Sequence, residues 1–293
     1  MNTEVPTSNT VRIIFILIFI GAVGVAIFLF GGSAEHTFHE KDINEDITND
    51  EEEGPPRKED TDLIDDEEPK KETGEESGSD GIINTSLKGI VYEFLGRPYE
   101  RGPLGEEEGE QIYREDVFDC TTLVLVSTSK YNANGKSAEE MMKVANYYPA
   151  GVVSFESRLH FTTYRNKVSP LFEDITRQIG GDLTEQKKVL LNKDREGEGR
   201  LIDVDWEEEV VIEYIKTEAV QKITKNIPKE VGVAFIVDGD ENMGLDVRHE
   251  GFVFNGSELV HASSQRGEVY KEDLLKFLES SNYSGVLFFR FPK

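Results

Sequence analysis

The 293-residue chain carries 58 acidic against 32 basic residues, a formal net charge of −26. That balance excludes sequence-independent nucleic-acid binding, which needs a basic surface to displace counterions, and it disfavours adhesion to anionic lipid headgroups. Cys120 is the single cysteine, so an intramolecular disulfide is excluded and its use is packing or chemistry.

In chain order, the first informative segment is residues 11–30, VRIIFILIFIGAVGVAIFLF, with Arg12 its only charge. The 18 uncharged residues after Arg12 suffice, at ~1.5 Å per residue, to cross a hydrocarbon layer of roughly 30 Å. Small residues at Gly32-Ser33-Ala34 also suit a signal-peptide cleavage site, but the apolar run exceeds a usual signal core and favours an uncleaved anchor. Residues 1–34 therefore read as a cytoplasmic tip and a single-pass transmembrane anchor in the cell membrane. The weak positive bias before the span places the remainder outside the cytoplasm. Residues 35–80 hold 20 acidic and 5 basic side chains and almost no aromatics, too little apolar surface to offset their ordering entropy. They are expected to form a disordered, self-repelling acidic linker. Residues 81–293 are expected to form one folded domain.

Within that domain, Asn84-Thr85-Ser86 can cap a helix whose apolar positions are Leu87, Ile90, Val91, Phe94 and Leu95, stopped by Gly96 and Pro98. A loop rich in Gly and Glu leads from Tyr99 to Asp119-Cys120, where an apolar helix begins and runs to about residue 129. Ser137 with Glu140 signals a capping box and a further helix that ends before Pro149. Residues 150–205 read as loop-rich. Residues 210–216, 231–237, 251–254, 258–262 and 285–291 read as strands, and Asn255-Gly256 as a two-residue hairpin turn. Leu274, Leu275 and Leu278 predict a helix over residues 271–280. Helices first and antiparallel strands later predict an α+β domain with its helices on one sheet face.

The chemistry concentrates on three residues. At a helix start, unpaired N–H groups and the macrodipole favour the thiolate of Cys120, which is its reactive form. His249 and His261 lie twelve positions apart around the hairpin turn. With Asn255 paired to Gly256, residue 261 falls near 250 and the two imidazoles are almost opposed. One ring can take a thiol proton while the other orients it, the arrangement of a cysteine hydrolase. Asp119 has two open roles, contact with a substrate amine or an N-cap. No Cys/His cluster, phosphate loop or dinucleotide fingerprint is present, so no metal or nucleotide cofactor is expected.

These residues carry a resemblance. Residues 96–99 (GRPY), Asp119-Cys120 at a helix start, His249-x-Gly251 and His261-Ala262-Ser263 together resemble the NlpC-like cell-wall cysteine peptidase superfamily. Gly102-Pro103-Leu104, Asp119-Cys120-Thr121-Thr122, residues 156–161 (ESRLHF), Asp174-Ile175-Thr176 and residues 244–247 (GLDV) are similar to one branch, the N-acetylmuramoyl-L-alanine amidase-like family. Three features depart from that pattern: Leu125 where the family tends to carry glutamate, Arg248 where serine is common, and a charged insertion at residues 187–200.

The resemblance implies a papain-like NlpC-type fold, with the cysteine helix packed on an antiparallel sheet. It implies Cys120 as nucleophile, His249 as general base and acid, and His261 as the orienting group. For Tyr99 it suggests a hydroxyl near the oxyanion, beside a plain packing role. For Arg158 it suggests a clamp on a substrate carboxylate, beside a scaffold salt bridge. His160 stands between substrate contact and a satisfied core histidine. The implied activity is an extracytoplasmic amidase cleaving the N-acetylmuramoyl–L-alanine bond of peptidoglycan or muropeptides through a thioester. A stem-peptide endopeptidase (D-glutamyl–diamino acid), an acyltransferase with the same triad and a non-catalytic wall-binding module are the alternatives.

Overall fold

Ser86 accepts the Gly89 N–H at 3.0 Å and starts α1 (Leu87–Glu93), the first helix in a computed structural model that describes residues 86–107 and 110–292. The expected anchor and acidic linker lie outside the described residues. Among the described residues, no helix is long and apolar enough to cross a membrane. Asp119 starts α2 (Cys120–Tyr131) through a reciprocal capping box. Its Oδ1 accepts the Thr122 N–H at 2.7 Å, and Thr122 Oγ1 accepts the Asp119 N–H at 2.8 Å. Every residue from Thr122 to Ser129 is buried, the apolar Leu123–Val126 and the polar Thr122 and Ser127–Ser129 alike, so the helix is covered on all sides. The Ser137–Glu140 box starts α3 (Ala138–Asn146), which packs against α2.

The remaining elements follow as α4 (Thr162–Val168), β1 (Glu173–Asp174), α5 (Thr176–Gly180), β2 (Thr184–Leu191), β3 (Glu208–Lys216) and α6 (Val220–Ile223). Then come β4 (Glu230–Ile236), β5 (His249–Phe254), β6 (Glu258–Ser263), β7 (Glu268–Asp273), α7 (Leu274–Glu279) and β8 (Gly285–Arg290). The strands form one antiparallel sheet in the order β2-β3-β8-β4-β5-β6-β7, with β1 pairing to β8. This is the mixed helix and antiparallel-sheet architecture of an α+β domain.

Four expectations are corrected. Helices cover both sheet faces: α1, α2 and α3 share a core with Phe252, Phe254 and Val260, whereas α5, α6 and α7 pack on Val231, Val253 and Leu259. The physical reason is visible in β4, β5 and β8, whose apolar residues run on without alternation and so require cover on both sides. Residues 150–205 contain α4, α5 and β2 rather than loop alone, and residues 187–191 of the charged insertion belong to β2. Neither α4 nor α5 has a side-chain cap, and β2 is a charged edge strand, so the usual signals are missing. Residues 271–273 belong to strand β7, and Asp273 caps α7.

The fourth correction is the hairpin register. Phe254 pairs with Glu258, Val253 with Leu259 and Phe252 with Val260, so the connection has three residues, Asn255-Gly256-Ser257. Asn255 (φ 52°) and Gly256 (φ 80°) take the two left-handed positions, and the Leu274 N–H holds the Ser257 carbonyl at 2.8 Å. The pairing shifts by one residue, which places Gly251 rather than Glu250 opposite His261.

Candidate active site

The sheet register creates the histidine pair. His249 lies diagonal to His261, and its Nε2 stands 2.7 Å from His261 Nδ1 with the rings 86° apart. Gly251 makes the approach possible, since a Cβ there would sit 3.0 Å from the His261 Cβ and 2.7 Å from the Val260 carbonyl oxygen. His261 Nε2 lies 3.0 Å from Glu272 Oε1, again a diagonal neighbour, across β6 and β7. A carboxylate only accepts, so His261 Nε2 carries the proton and its Nδ1 accepts the His249 Nε2–H. The lone pair of neutral His249 is then on Nδ1, a nitrogen with no hydrogen bond among the described residues.

The pair sits in an aromatic cage. Phe235 and Tyr283 lie along the His249 ring at 5.7 and 6.2 Å, and Phe277 meets His261 at 5.0 Å. Burial, with His261 alongside, holds His249 well below 6.5. Burial likewise lowers His261 and outweighs the opposing pull of Glu272. Both rings are neutral near pH 7.

His249 and Cys120 line one cleft of about 550 Å³, with Tyr99, Asp119 and Arg248 around them. They reach it from different faces of the sheet. Helix α2 packs on the face of Phe252 and Phe254, while His249 shares the side of Val253 and Phe235. No hydrogen bond joins Cys120 to His249 among the described residues, and Thr121 Oγ1 stands 4.0 Å from Sγ.

The expected thiolate is corrected here. Although one side of Cys120 opens on the cleft, protein surrounds the rest, and burial pushes its thiol up to about 12. The Asp119 and Glu250 carboxylates push in the same direction. Together they exceed what the Glu250 backbone N–H and Thr121 offer the anion. The helix start alone does not make a thiolate here.

The other candidate side chains divide. The strap carrying Tyr99 is pinned on both sides, its N–H donating to the Gly267 carbonyl at 2.8 Å while Glu100 N–H donates to Phe118 at 3.0 Å. Burial, then the neighbouring Cys120 and Asp119, raise the Tyr99 hydroxyl to about 12, so it remains a donor beside the thiol. Both Asp119 oxygens serve backbone groups, since Oδ2 accepts the Gly102 N–H at 3.0 Å. Arg158 already grips a carboxylate of this chain: its Nε meets Glu106 Oε1 at 2.8 Å, and a second guanidinium nitrogen takes Oε2. His160 Nε2 donates to the Phe155 carbonyl at 2.8 Å. Residues 158–160 still line the cleft.

Three partners escaped the sequence reading. Glu272 was hidden because its segment read as helix. Glu106, whose carboxyl burial raises but Arg158 and the Tyr147 hydroxyl bring below the usual range, lies in a loop without pattern. The third is the ion pair of Arg165 with Glu250, each side chain 1% exposed, with guanidinium–carboxylate contacts of 3.0 and 2.7 Å. It ties α4 to β5, and its Glu250 is near enough to Cys120 for its charge to oppose the thiolate. Arg248, the departure beside His249, is neutralised by Asp240 at 3.0 Å. Among the described residues, no group of three or more His, Cys, Asp or Glu side chains is placed to hold a metal ion.

Comparison with known proteins adds the following. The sequence profile described as AmiA-like, N-acetylmuramoyl-L-alanine amidase-like, matches residues 89–286. A Legionella pneumophila protein of known structure is 25% identical, with a TM-score of 0.59 over 70% of this chain and 88% of its own. An N-acetylmuramoyl-L-alanine amidase from Bacteroides uniformis shares the fold at 19% identity, with a TM-score of 0.57 over 71% of this chain and 99% of that one. A putative xylanase from Bacteroides fragilis does so at 19% identity and a TM-score of 0.57, over 69% and 99% of the two chains. No curated protein matches the sequence.

Proposed function

Because the chain belongs to the N-acetylmuramoyl-L-alanine amidase-like family, a family of cell-wall amidase type, we propose that it is a cysteine amidase cleaving the N-acetylmuramoyl–L-alanine bond of peptidoglycan or muropeptides. The observation that carries this reading is the Glu272–His261–His249 relay, whose free imidazole nitrogen belongs to a ring in the same cleft as the chain's one thiol. The start of α2 at the cysteine and its packing on an antiparallel sheet favour a papain-like NlpC-type domain.

In this reading the resting pair is a neutral thiol and a neutral imidazole. His249 Nδ1 takes the proton as Sγ attacks the amide carbonyl, forming the C–S bond and a tetrahedral oxyanion. The Cys120 N–H, in the first turn and without an intrahelical partner, and the Tyr99 hydroxyl are the donors nearest that oxyanion. Collapse breaks the C–N bond, and the His249 imidazolium passes its proton to the departing L-alanyl amine. Water, deprotonated by His249, then cleaves the thioester and restores the thiol. His261 and Glu272 stabilise the imidazolium in both halves. Arg158, Asp119 and His160 act as scaffold around this centre.

The deciding experiment is digestion of purified muropeptides by the full chain, with the products weighed. Free stem peptide beginning at L-alanine is expected. Cleavage inside the stem would identify an endopeptidase, transfer to an added amine an acyltransferase, and binding without turnover a wall-binding module. The apolar run at residues 11–30 and the acidic segment at 35–80 support a tethered, extracytoplasmic domain. Fractionation with membranes and release of an active soluble domain by limited proteolysis would bear this out, and a mature protein beginning at Glu35 would refute the anchor.

A further inference from the structure

Three arginines line the cleft: Arg101, Arg158 and Arg248. Two of them are committed inside the chain, Arg158 to Glu106 and Arg248 to Asp240. Arg101 differs. It is half-buried, and among the described residues no carboxylate pairs with it. The carboxylates of the cleft are engaged elsewhere: Asp119 with the Thr122 and Gly102 N–H groups, Asp240 with Arg248, and Asp238 with Lys187 at 3.8 Å.

The strap that carries Arg101 is fixed beside the thiol. Before it, the Tyr99 and Glu100 N–H groups are held by the Gly267 and Phe118 carbonyls. After it, Gly102 turns at φ 56° and gives its N–H to Asp119, the residue that caps the cysteine helix. Arg101 therefore projects from backbone held on both sides. Burial and the Cys120 and Asp119 charges raise the Tyr99 hydroxyl, and the Arg101 guanidinium beside it opposes them.

A guanidinium presents its N–H donors in a planar fork that matches a carboxylate, and a partly desolvated one without a protein partner gains most from such a ligand. The substrate of the proposed reaction brings that group. Its stem peptide begins L-alanyl-D-glutamate, and the glutamate continues through its γ-carboxyl, which leaves the α-carboxyl either free or amidated. That group lies two residues from the attacked amide, roughly 7 Å of extended chain, a separation that a long side chain on this strap can cover. We propose that Arg101 is the carboxylate-binding residue of the cleft and makes the protein selective for stem peptides whose glutamate α-carboxylate is free. The assignment rests on the amidase reading. It gives the clamp role suggested for Arg158 to a residue outside the motifs that carry the family resemblance.

The test uses the full chain and two muropeptides that differ only in that group, a carboxylate in one and an amide in the other. kcat/KM should be about 10- to 100-fold higher for the carboxylate, the range of a charge-assisted hydrogen bond. Arg101→Ala should raise KM for the carboxylate substrate by that factor with kcat little changed, and leave the amidated one unaltered. Arg101→Lys, which keeps the charge but not the fork, should fall in between. The comparison within the parent protein needs no variant, so it decides even where Arg101→Ala does not fold. Equal loss on both substrates in a folded Arg101→Ala overturns the inference. If the parent cuts both at the alanine amide without preference, the inference falls and the amidase reading stands. If neither is cut, calorimetric titration of the Cys120→Ala chain with the same two compounds decides. Tighter binding of the carboxylate form, abolished by adding Arg101→Ala, keeps the inference and removes the amidase reading, whereas equal or absent binding removes both.

Discussion

The two walls of the cleft are held in place by different physics. On the histidine side, position comes from strand register: His249, His261 and Glu272 meet only because β5, β6 and β7 pair in one frame, with Gly251 leaving room between them. A slip of one residue would turn these side chains to the other face. On the cysteine side, position comes from local capping by Asp119 and from the pinned strap before it. That side should yield gradually to substitution, while the histidine side should behave as a unit. The two meet at Glu250, which pairs with Arg165, acts on the Cys120 thiol and is next to His249 in sequence.

The strongest break of this comparison is His249→Ala. General acid–base catalysis contributes about 10²–10⁴-fold, and turnover of muropeptide should fall by at least that much while the melting temperature holds. Undiminished turnover would remove His249 from the mechanism. Next, Arg165→Leu should cost roughly 3–5 kcal/mol, because it strands the buried Glu250 carboxylate without its partner. Urea unfolding measures this, and an unchanged midpoint would show that the pair does not join the two walls.

Glu272→Leu removes the acceptor that sets the His261 tautomer. A hydrogen bond to a charged group contributes about 1.5–3 kcal/mol, so kcat should fall roughly ten- to hundredfold, and Glu272→Gln, which keeps an acceptor, should lose less. Equal activity in all three proteins would leave the relay at two histidines. On the cysteine side, Asp119→Ala should cost only about 0.5–2 kcal/mol of stability, with Asp119→Asn close to the parent.

The mildest test is pH. His249 must be neutral to accept a proton, and its value lies well below 6.5, so activity persists at pH 6.5 and falls only at lower pH. Iodoacetamide should alkylate Cys120 slowly at neutral pH and faster above 9.0, the ordinary thiol value, because burial moves the thiol towards about 12. Rapid alkylation near pH 7 would restore the thiolate expected of a helix start.

Local signals in this chain proved legible in proportion to how local they are. Ser86, Asp119 and Ser137 each start the helix their side chains announce, and the apolar strands 230–236 and 285–290 stand where their runs lie. The hairpin was legible as a hairpin but not to the residue, because Asn-Gly suits two- and three-residue connections alike and Ser257 is set by its bond to α7. Helices α4 and α5 carry no side-chain cap, and β2 is polar because it is an edge.

The sequence by itself determined the charge balance, the capped helices, the runs of the central strands, the single thiol and the two histidines, because each depends on neighbours within a few positions. Tertiary structure decided the rest. It brought Glu272 to His261, Glu106 to Arg158 and Glu250 to Arg165, and packed Trp206 against Tyr164 and Phe161. It also reversed the expected charge of the thiol, since a helix start favours the anion, while burial and the Glu250 carboxylate brought up from β5, together with the neighbouring Asp119, oppose it.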